Sequence, residues 1–298
     1  MKNRVALMFA GLFPFISIAL FAQETKTAEG AEDRVAGIHF AKGAAGGHPR
    51  TTSSPNMLYH NGPIMPAANV TAIYWGTTWS PTDEKITGMD VFYRGIGGST
   101  YAATCNEYTD SKKNQVTSAI SYQGHIIDSS PAPSNGNRTS VILAEVCKMI
   151  PRSQMVANAY YPVYIDNPRG TSNYCAWHSA GSCSGVTVQF AFFYKLDGDA
   201  GCDPQSTVTS NEGLAALANV SGHELSEART DPRLNAWYDN GGGENADKCA
   251  WTFGTESLTF ADGTQWKIQG NWSNKAYSAG TGYPNSSGQQ GCIDGGHY

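Results

Sequence analysis

Charge is scarce in this chain: 15% of its 298 residues are Asp, Glu, Lys or Arg, and only 20 are basic. No Lys/Arg cluster is present that could follow a phosphate backbone, and the net charge of −5 argues against nucleic acid as a partner. A basic amphipathic helix of the kind that lies on membrane surfaces is missing as well. None of the seven cysteines, at 105, 147, 175, 183, 202, 249 and 292, forms a Cys-x-x-Cys pair, which argues against a thiolate zinc site or a redox motif. There is no Gly-x-Ser-x-Gly elbow to support a serine esterase. Asp197-Gly-Asp199 and Asp239-Asn240 look like pieces of calcium loops, but the EF-hand spacing is absent and they read as turns.

What is present begins with an export signal. Lys2 and Arg4 precede an uncharged run from Val5 to Ala22, and the first acidic residue is Glu24, so residues 1–22 read as a secretory signal peptide. An uncleaved membrane anchor is the competing reading; Pro14 within the run and the small Ala22 at its end favour cleavage, so no stable membrane insertion is expected afterwards. Residues 23–55, rich in Gly, Ala, Ser and Thr and without apolar periodicity, read as a flexible leader or pro-segment. Residues 56–298 are long enough for one globular domain, with no internal repeat and no later linker. An extracellular, periplasmic or cell-wall location makes disulfides the default use of cysteine, with one thiol left over. Pairing among Cys175, Cys183 and Cys202, and a Cys249–Cys292 bridge, are expected.

Apolar periodicity places strands over Val70–Trp75, Tyr160–Ile165 and Val186–Tyr194, the last of them central, and helices after Ser80-Pro81, over Ser140–Met149 and over Leu214–Glu227. Asp262-Gly263 marks a two-residue hairpin. The fold class is therefore α/β, a mixed sheet with flanking helices, followed by an irregular, disulfide-tied C-terminal region.

The third helix carries the chemistry. His223 and Glu227 stand four apart and project from one face, as two ligands of one metal must. Glu224 follows the histidine directly, as the general base does in His-Glu-x-x-His zinc hydrolases, but Glu227 replaces the second histidine. Downstream, Asp239-Asn-Gly-Gly-Gly-Glu244-Asn-Ala-Asp247 turns on glycines and could return Glu244 and Asp247 to the helix. Glu224 is thus the candidate base, and His223, Glu227, Glu244 and Asp247 the candidate metal ligands; Asp231 and His178 remain open as further members. The cofactor expected is a divalent metal, zinc first, with calcium as the oxygen-rich alternative. The competing reading is an ordinary amphipathic helix, with Glu227 paired to Arg229, Arg233 or a backbone amide.

Tyr59-His-Asn-Gly-Pro63, Cys175-Ala-Trp-His178, Thr230-Asp-Pro232 with Trp237-Tyr238, and Trp272-Ser-Asn274 together resemble the EXORDIUM, or phosphate-induced protein 1, family over most of the chain after the leader. The resemblance implies a secreted cell-wall protein and brings no assigned biochemical activity; the His-Glu pair marks a microbial-type member. Two functions follow as expectations. One is a secreted metal-dependent hydrolase, most simply a metallopeptidase, acting on an extracellular peptide or cell-wall polymer. The other is a non-catalytic protein that binds polysaccharide or protein through exposed Trp and Tyr, with a structural calcium.

Overall fold

The computed structural model describes residues 37–44, 55–134, 137–156 and 158–296; the signal-peptide segment lies outside the described residues. In chain order, β1 (Ile38–Phe40) is followed by β2 (Leu58–Tyr59), β3 (Ala68–Trp75), α1 (Glu84–Ile96) and the short α2 (Thr100–Ala103). Next come β4 (Ile120–Asp128), α3 (Thr139–Met149), β5 (Ala159–Pro168), β6 (Tyr174–Cys183), β7 (Val186–Lys195) and α4 (Glu212–Thr230). The C-terminal part holds β8 (Trp237–Tyr238), β9 (Leu258–Thr259), β10 (Gln265–Trp266), β11 (Asn271–Trp272), α5 (Asn274–Ala279), β12 (Tyr283–Pro284) and β13 (Gln290–Ile293).

Six strands form a mixed sheet in the order β1-β6-β7-β5-β3-β4. β4, β3, β5 and β7 run parallel, with helices crossing over between β3 and β4 and between β4 and β5 and with β6 linking β5 to β7, while β6 and β1 are antiparallel additions at one edge. β7 is a run of Val, Phe and Tyr buried on both faces, as a central strand must be. β6, by contrast, is built from Cys, Ala, Ser and Gly and has little strand propensity of its own. Its shape comes from an eight-residue register with β7 and from two disulfides, Cys175–Cys202 and Cys183–Cys147. The pairing expected for Cys183 is thereby corrected, since its partner is Cys147 on α3. Cys249–Cys292 forms as expected and ties the C-terminal segment; the thiol left over is the buried Cys105. Each bridge restricts the unfolded chain by roughly 3–4 kcal/mol. Three disulfides fit an oxidising environment, and among the described residues no helix is long and apolar enough to cross a membrane.

Two sequence expectations need revision. Residues 37–44 fall inside the segment read as a flexible leader, yet Ile38–Phe40 is an edge strand of the main sheet. The β9–β10 turn has Ala261 and Asp262 as its central pair, closed by Gly263 N–H to Phe260 O at 2.9 Å, with Gly263 following at φ +82. It is a three-residue loop, because Phe260 and Thr264 still pair across it.

α4 is the buried axle of the molecule. Asn211 caps it by accepting the Leu214 N–H at 2.9 Å, Glu212 suits the positive end of its dipole, and Asp231-Pro232 ends it. Every residue from Gly213 to Thr230 is buried. Its Gly and Ala positions let it lie close to the sheet, and a hydroxyl ladder, Tyr93 to Tyr164 at 2.7 Å and Tyr164 to Ser221 at 2.8 Å, stitches α1, β5 and α4 together. Segments that carry the family resemblance meet in space. β2 pairs with β8, His60 stacks on Tyr238 at 3.6 Å, and the Asn274 side chain brackets the Met57 backbone.

Candidate metal centre

Four pieces of chain converge on the last two turns of α4. The helix supplies His223, Glu224 and Glu227; β6 supplies His178; β1 supplies His39; the loop after β8 supplies Glu244 and Asp247. That loop returns as its glycines suggested. Asp239 Oδ1 accepts the amides of Gly241 and Gly243, and Lys248 pairs with Asp239 at 2.7 Å. The Asp247 N–H then donates to Glu227 Oε1 at 2.9 Å and the Glu244 N–H to Asp247 Oδ2 at 3.0 Å.

The predicted ligands do not gather around one point. His223 Nε2 lies 3.1 Å from Glu227 Oε1 and 3.6 Å from Asp247 Oδ1. Glu244 sits on the other side, its Oε2 3.1 Å from His178 Nε2, which is 3.7 Å from Glu227 Oε2. His178, open in the sequence, joins the site. Asp231 does not. Its carboxylate accepts the amides of Asn235 and Ala236 at 2.6 and 2.7 Å and closes the helix exit. His39 is the residue that sequence reasoning missed, since nothing in its Gly- and Ala-rich surroundings announces a strand. Its ring lies 3.9 Å from that of His223 and 4.6 Å from Trp251, which also donates to Phe40 O. Gly37 holds this approach. Its amide oxygen accepts the His178 N–H at 3.0 Å, its φ is +61, and a Cβ there would stand 2.3 Å from the His178 ring.

Of the local pairings open to Glu227, the backbone amide is made, from Asp247, and the two arginine pairings are not. Arg229 turns away to the carbonyls of Ala102 and Thr117, and Arg233 is exposed. Among the described residues no lysine or arginine pairs with Glu224, Glu227 or Glu244. Burial, then the neighbouring Glu227 and Asp247, pushes the Glu224 carboxyl well above the usual carboxylate range, the nearby His39 amide opposing the shift without closing to a hydrogen bond. Burial and Asp247 push Glu227 up to about 7, and burial with the surrounding acids pushes Glu244 well up. Burial and the neighbouring His223 push His178 down to about 3, so it is neutral. His39 is lowered by the same two causes. Left to itself the cluster is therefore biased toward the protonated form of its acids.

A divalent cation fits these residues better than protons do. His223 Nε2, both oxygens of Glu224, Glu227 Oε2, Glu244 Oε1 and both nitrogens of His39 are buried without a hydrogen-bond partner, each a costly omission unless something occupies the space they face. One contact opposes the fit as drawn. Gln269 donates to Ala246 O and receives the Trp251 N–H, so its Nε2 also faces His223 Nδ1 as a donor, at 2.8 Å. In that arrangement the proton of His223 sits on Nε2; a cation on Nε2 needs the Gln269 amide to present its oxygen instead.

Access is limited. A cleft of about 610 Å³, lined by Phe40, Lys42, Asp239, Asp247, Lys248 and Trp251 among others, reaches the cluster at Asp247. All seven tryptophans are buried or half-buried, and Tyr277 is the exposed aromatic among the described residues. No protein-family model matches the chain, and neither a curated protein nor a solved structure is measurably similar to it.

Proposed function

We propose that this is a secreted metal-dependent hydrolase in which His223, Glu227 and Asp247 hold a divalent cation, zinc first, and Glu224 serves as general base. The observation that carries the reading is the set of buried ligand atoms with no partner, Glu224 above all. Glu224 lies outside the His223–Glu227–Asp247 trio; it forms a further group of possible ligands with His39 and His223, and because both its oxygens lack a hydrogen-bond partner beside a ligand histidine we assign it the base. When bound, the cation acts as a Lewis acid and brings the pKa of a bound water near 7. Glu224 would accept the proton of an attacking water, and a cation beside it would return its raised pKa toward the range useful to a base. Asp247 forms the mouth of the site, beside Lys248 and Trp251, where an extracellular peptide or wall polymer would enter. Secretion is supported by the N-terminal apolar run and the three disulfides. Peptide-bond hydrolysis is the first activity to assay, on likeness of the helix motif to zinc peptidases.

The test is Glu224→Gln. We expect bound metal unchanged and turnover lower by about 10²-fold or more; full turnover in this variant would remove Glu224 from the mechanism. A second reading, a non-catalytic protein with a structural cation, is favoured by one observation: the ligands are almost wholly buried, as in closed structural sites. A protein that melts lower on chelation but cleaves no peptide or polysaccharide would select it.

A further inference from the structure

We infer that the centre holds two divalent cations bridged by Glu227, with His223 and Asp247 completing the first position and His178 and Glu244 the second. The inference rests on the reading of His223, Glu227 and Asp247 as a cation site and extends it to ligands that a single ion leaves unused.

The carboxylate of Glu227 stands between two histidines, Oε1 toward His223 at 3.1 Å and Oε2 toward His178 at 3.7 Å. On each side a further acid approaches the same ring nitrogen, Asp247 at 3.6 Å and Glu244 at 3.1 Å. Within each trio all ligand atoms lie within 4.8 Å of one another. Ligands about 2.0–2.2 Å from a tetrahedral zinc stand roughly 3.3–3.6 Å apart, which the four nitrogen–oxygen separations bracket. Each histidine–carboxylate separation is therefore of the size found within a metal's own ligand set, and Glu227 belongs to both trios.

Two independent features point to an ion on the His178 side. Glu227 Oε2 and Glu244 Oε1 are buried and have no hydrogen-bond partner, although each belongs to a carboxylate whose other oxygen is engaged. Charge gives the second. Ionised Glu224, Glu227 and Glu244 carry three negative charges with which no lysine or arginine among the described residues pairs, more than one divalent cation neutralises. The competing arrangement is a proton shared between His178 and Glu244. It leaves Glu244 Oε1 unsatisfied and so explains less. Two ions would also give a hydrolase a clamp for both the attacking and the leaving oxygen.

The test is a titration of metal-free full-length protein with Zn²⁺, read by native mass spectrometry and elemental analysis, beside electron paramagnetic resonance of the Mn²⁺-loaded protein. We expect two ions per chain, a spin-coupled manganese pair, one ion in His178→Ala and Glu244→Gln, and neither ion retained tightly in Glu227→Gln. One uncoupled ion in the unaltered protein, lost in His223→Ala but kept in Glu244→Gln, would overturn the two-ion centre and leave the single-ion reading standing. An ion kept in His223→Ala and lost in Glu244→Gln would instead overturn the first position. No ion at all would overturn both. The manganese signal needs no variant, so misfolding of a substituted protein cannot obscure the result.

Discussion

Two acid clusters in this protein are compensated in opposite ways. At the end of β4, Asp128 accepts Lys148, the Ser130 hydroxyl at 2.6 Å and the Ser130 amide at 2.9 Å. Burial alone would raise the Asp128 carboxyl, but these donors hold it well below the usual carboxylate range. Glu145, deeper and also paired to Lys148 at 3.1 Å, is still pushed up to about 7, burial outweighing the shared lysine. One lysine therefore satisfies one acid and falls short of a second. The α4 cluster brings four acids together with no lysine or arginine on its three glutamates, and the chain supplies neutral imidazoles where a cation would be expected. That contrast supports the proposal that a cation from outside the polypeptide completes the α4 cluster.

Chelation breaks this comparison most directly. Removing bound metal at neutral pH should lower the melting temperature by about 5–15 °C, since a ligand at 10²–10³ times its Kd contributes about 3–4 kcal/mol, while the Lys148 region stays as it was. Differential scanning calorimetry with and without chelator measures it, and an unchanged midpoint would count against any resident cation.

The next effect concerns pH. In metal-free protein Glu227 binds its proton up to about pH 7 when folded and only up to about pH 4.3 when unfolded, so the folded state binds more protons between the two values and stability falls as pH rises through that window. The loss from Glu227 alone is on the order of 3 kcal/mol. Metal-loaded protein should show the opposite slope, because acid displaces the ion. Urea unfolding at pH 5 and pH 7.5, with and without metal, gives both signs.

A smaller change sharpens the picture at one atom. Gln269→Glu places an acceptor opposite His223 Nδ1, freeing Nε2 to bind, and should tighten metal affinity by about tenfold. Competition against a chelating dye reads this, and equal or weaker affinity would show that the histidine tautomer is not set by residue 269. The least effect belongs to the compensated cluster. Lys148 is half exposed, so Lys148→Met should cost only about 1 kcal/mol in denaturant unfolding, in full above about pH 4, the range of an unfolded Asp, and shrinking below it as the pH falls toward the depressed value of folded Asp128.

Much of the site was legible because its chemistry is local. The four-residue spacing of His223 and Glu227 survives as a shared face, and the glycines after Asp239 do return Glu244 and Asp247 to the helix. The mixed sheet followed from the alternation of strand and helix patterns. What sequence could not supply was tertiary. β6 is a strand by virtue of its neighbours more than of its residues, and β1, though Ile38 and Phe40 favour a strand, is only three residues long within a Gly- and Ala-rich stretch, so His178 was recognised only as a candidate and His39 not at all. The division of the ligands into two trios depends on which way each carboxylate turns, which no spacing encodes. Cys147 looked like part of an amphipathic helix, and only the packing of α3 on β6 brings it to Cys183.

The short strand β1 has a consequence for handling this protein. It covers the hydrogen-bonding edge of β6, and its His39 fills the gap beside His223. A recombinant chain trimmed to start at residue 56 would expose a bare ladder of amides and carbonyls, the kind of border along which sheets join between molecules. Such a preparation would tend to self-associate even with its core intact, and the aggregation would be a matter of where the gene was cut.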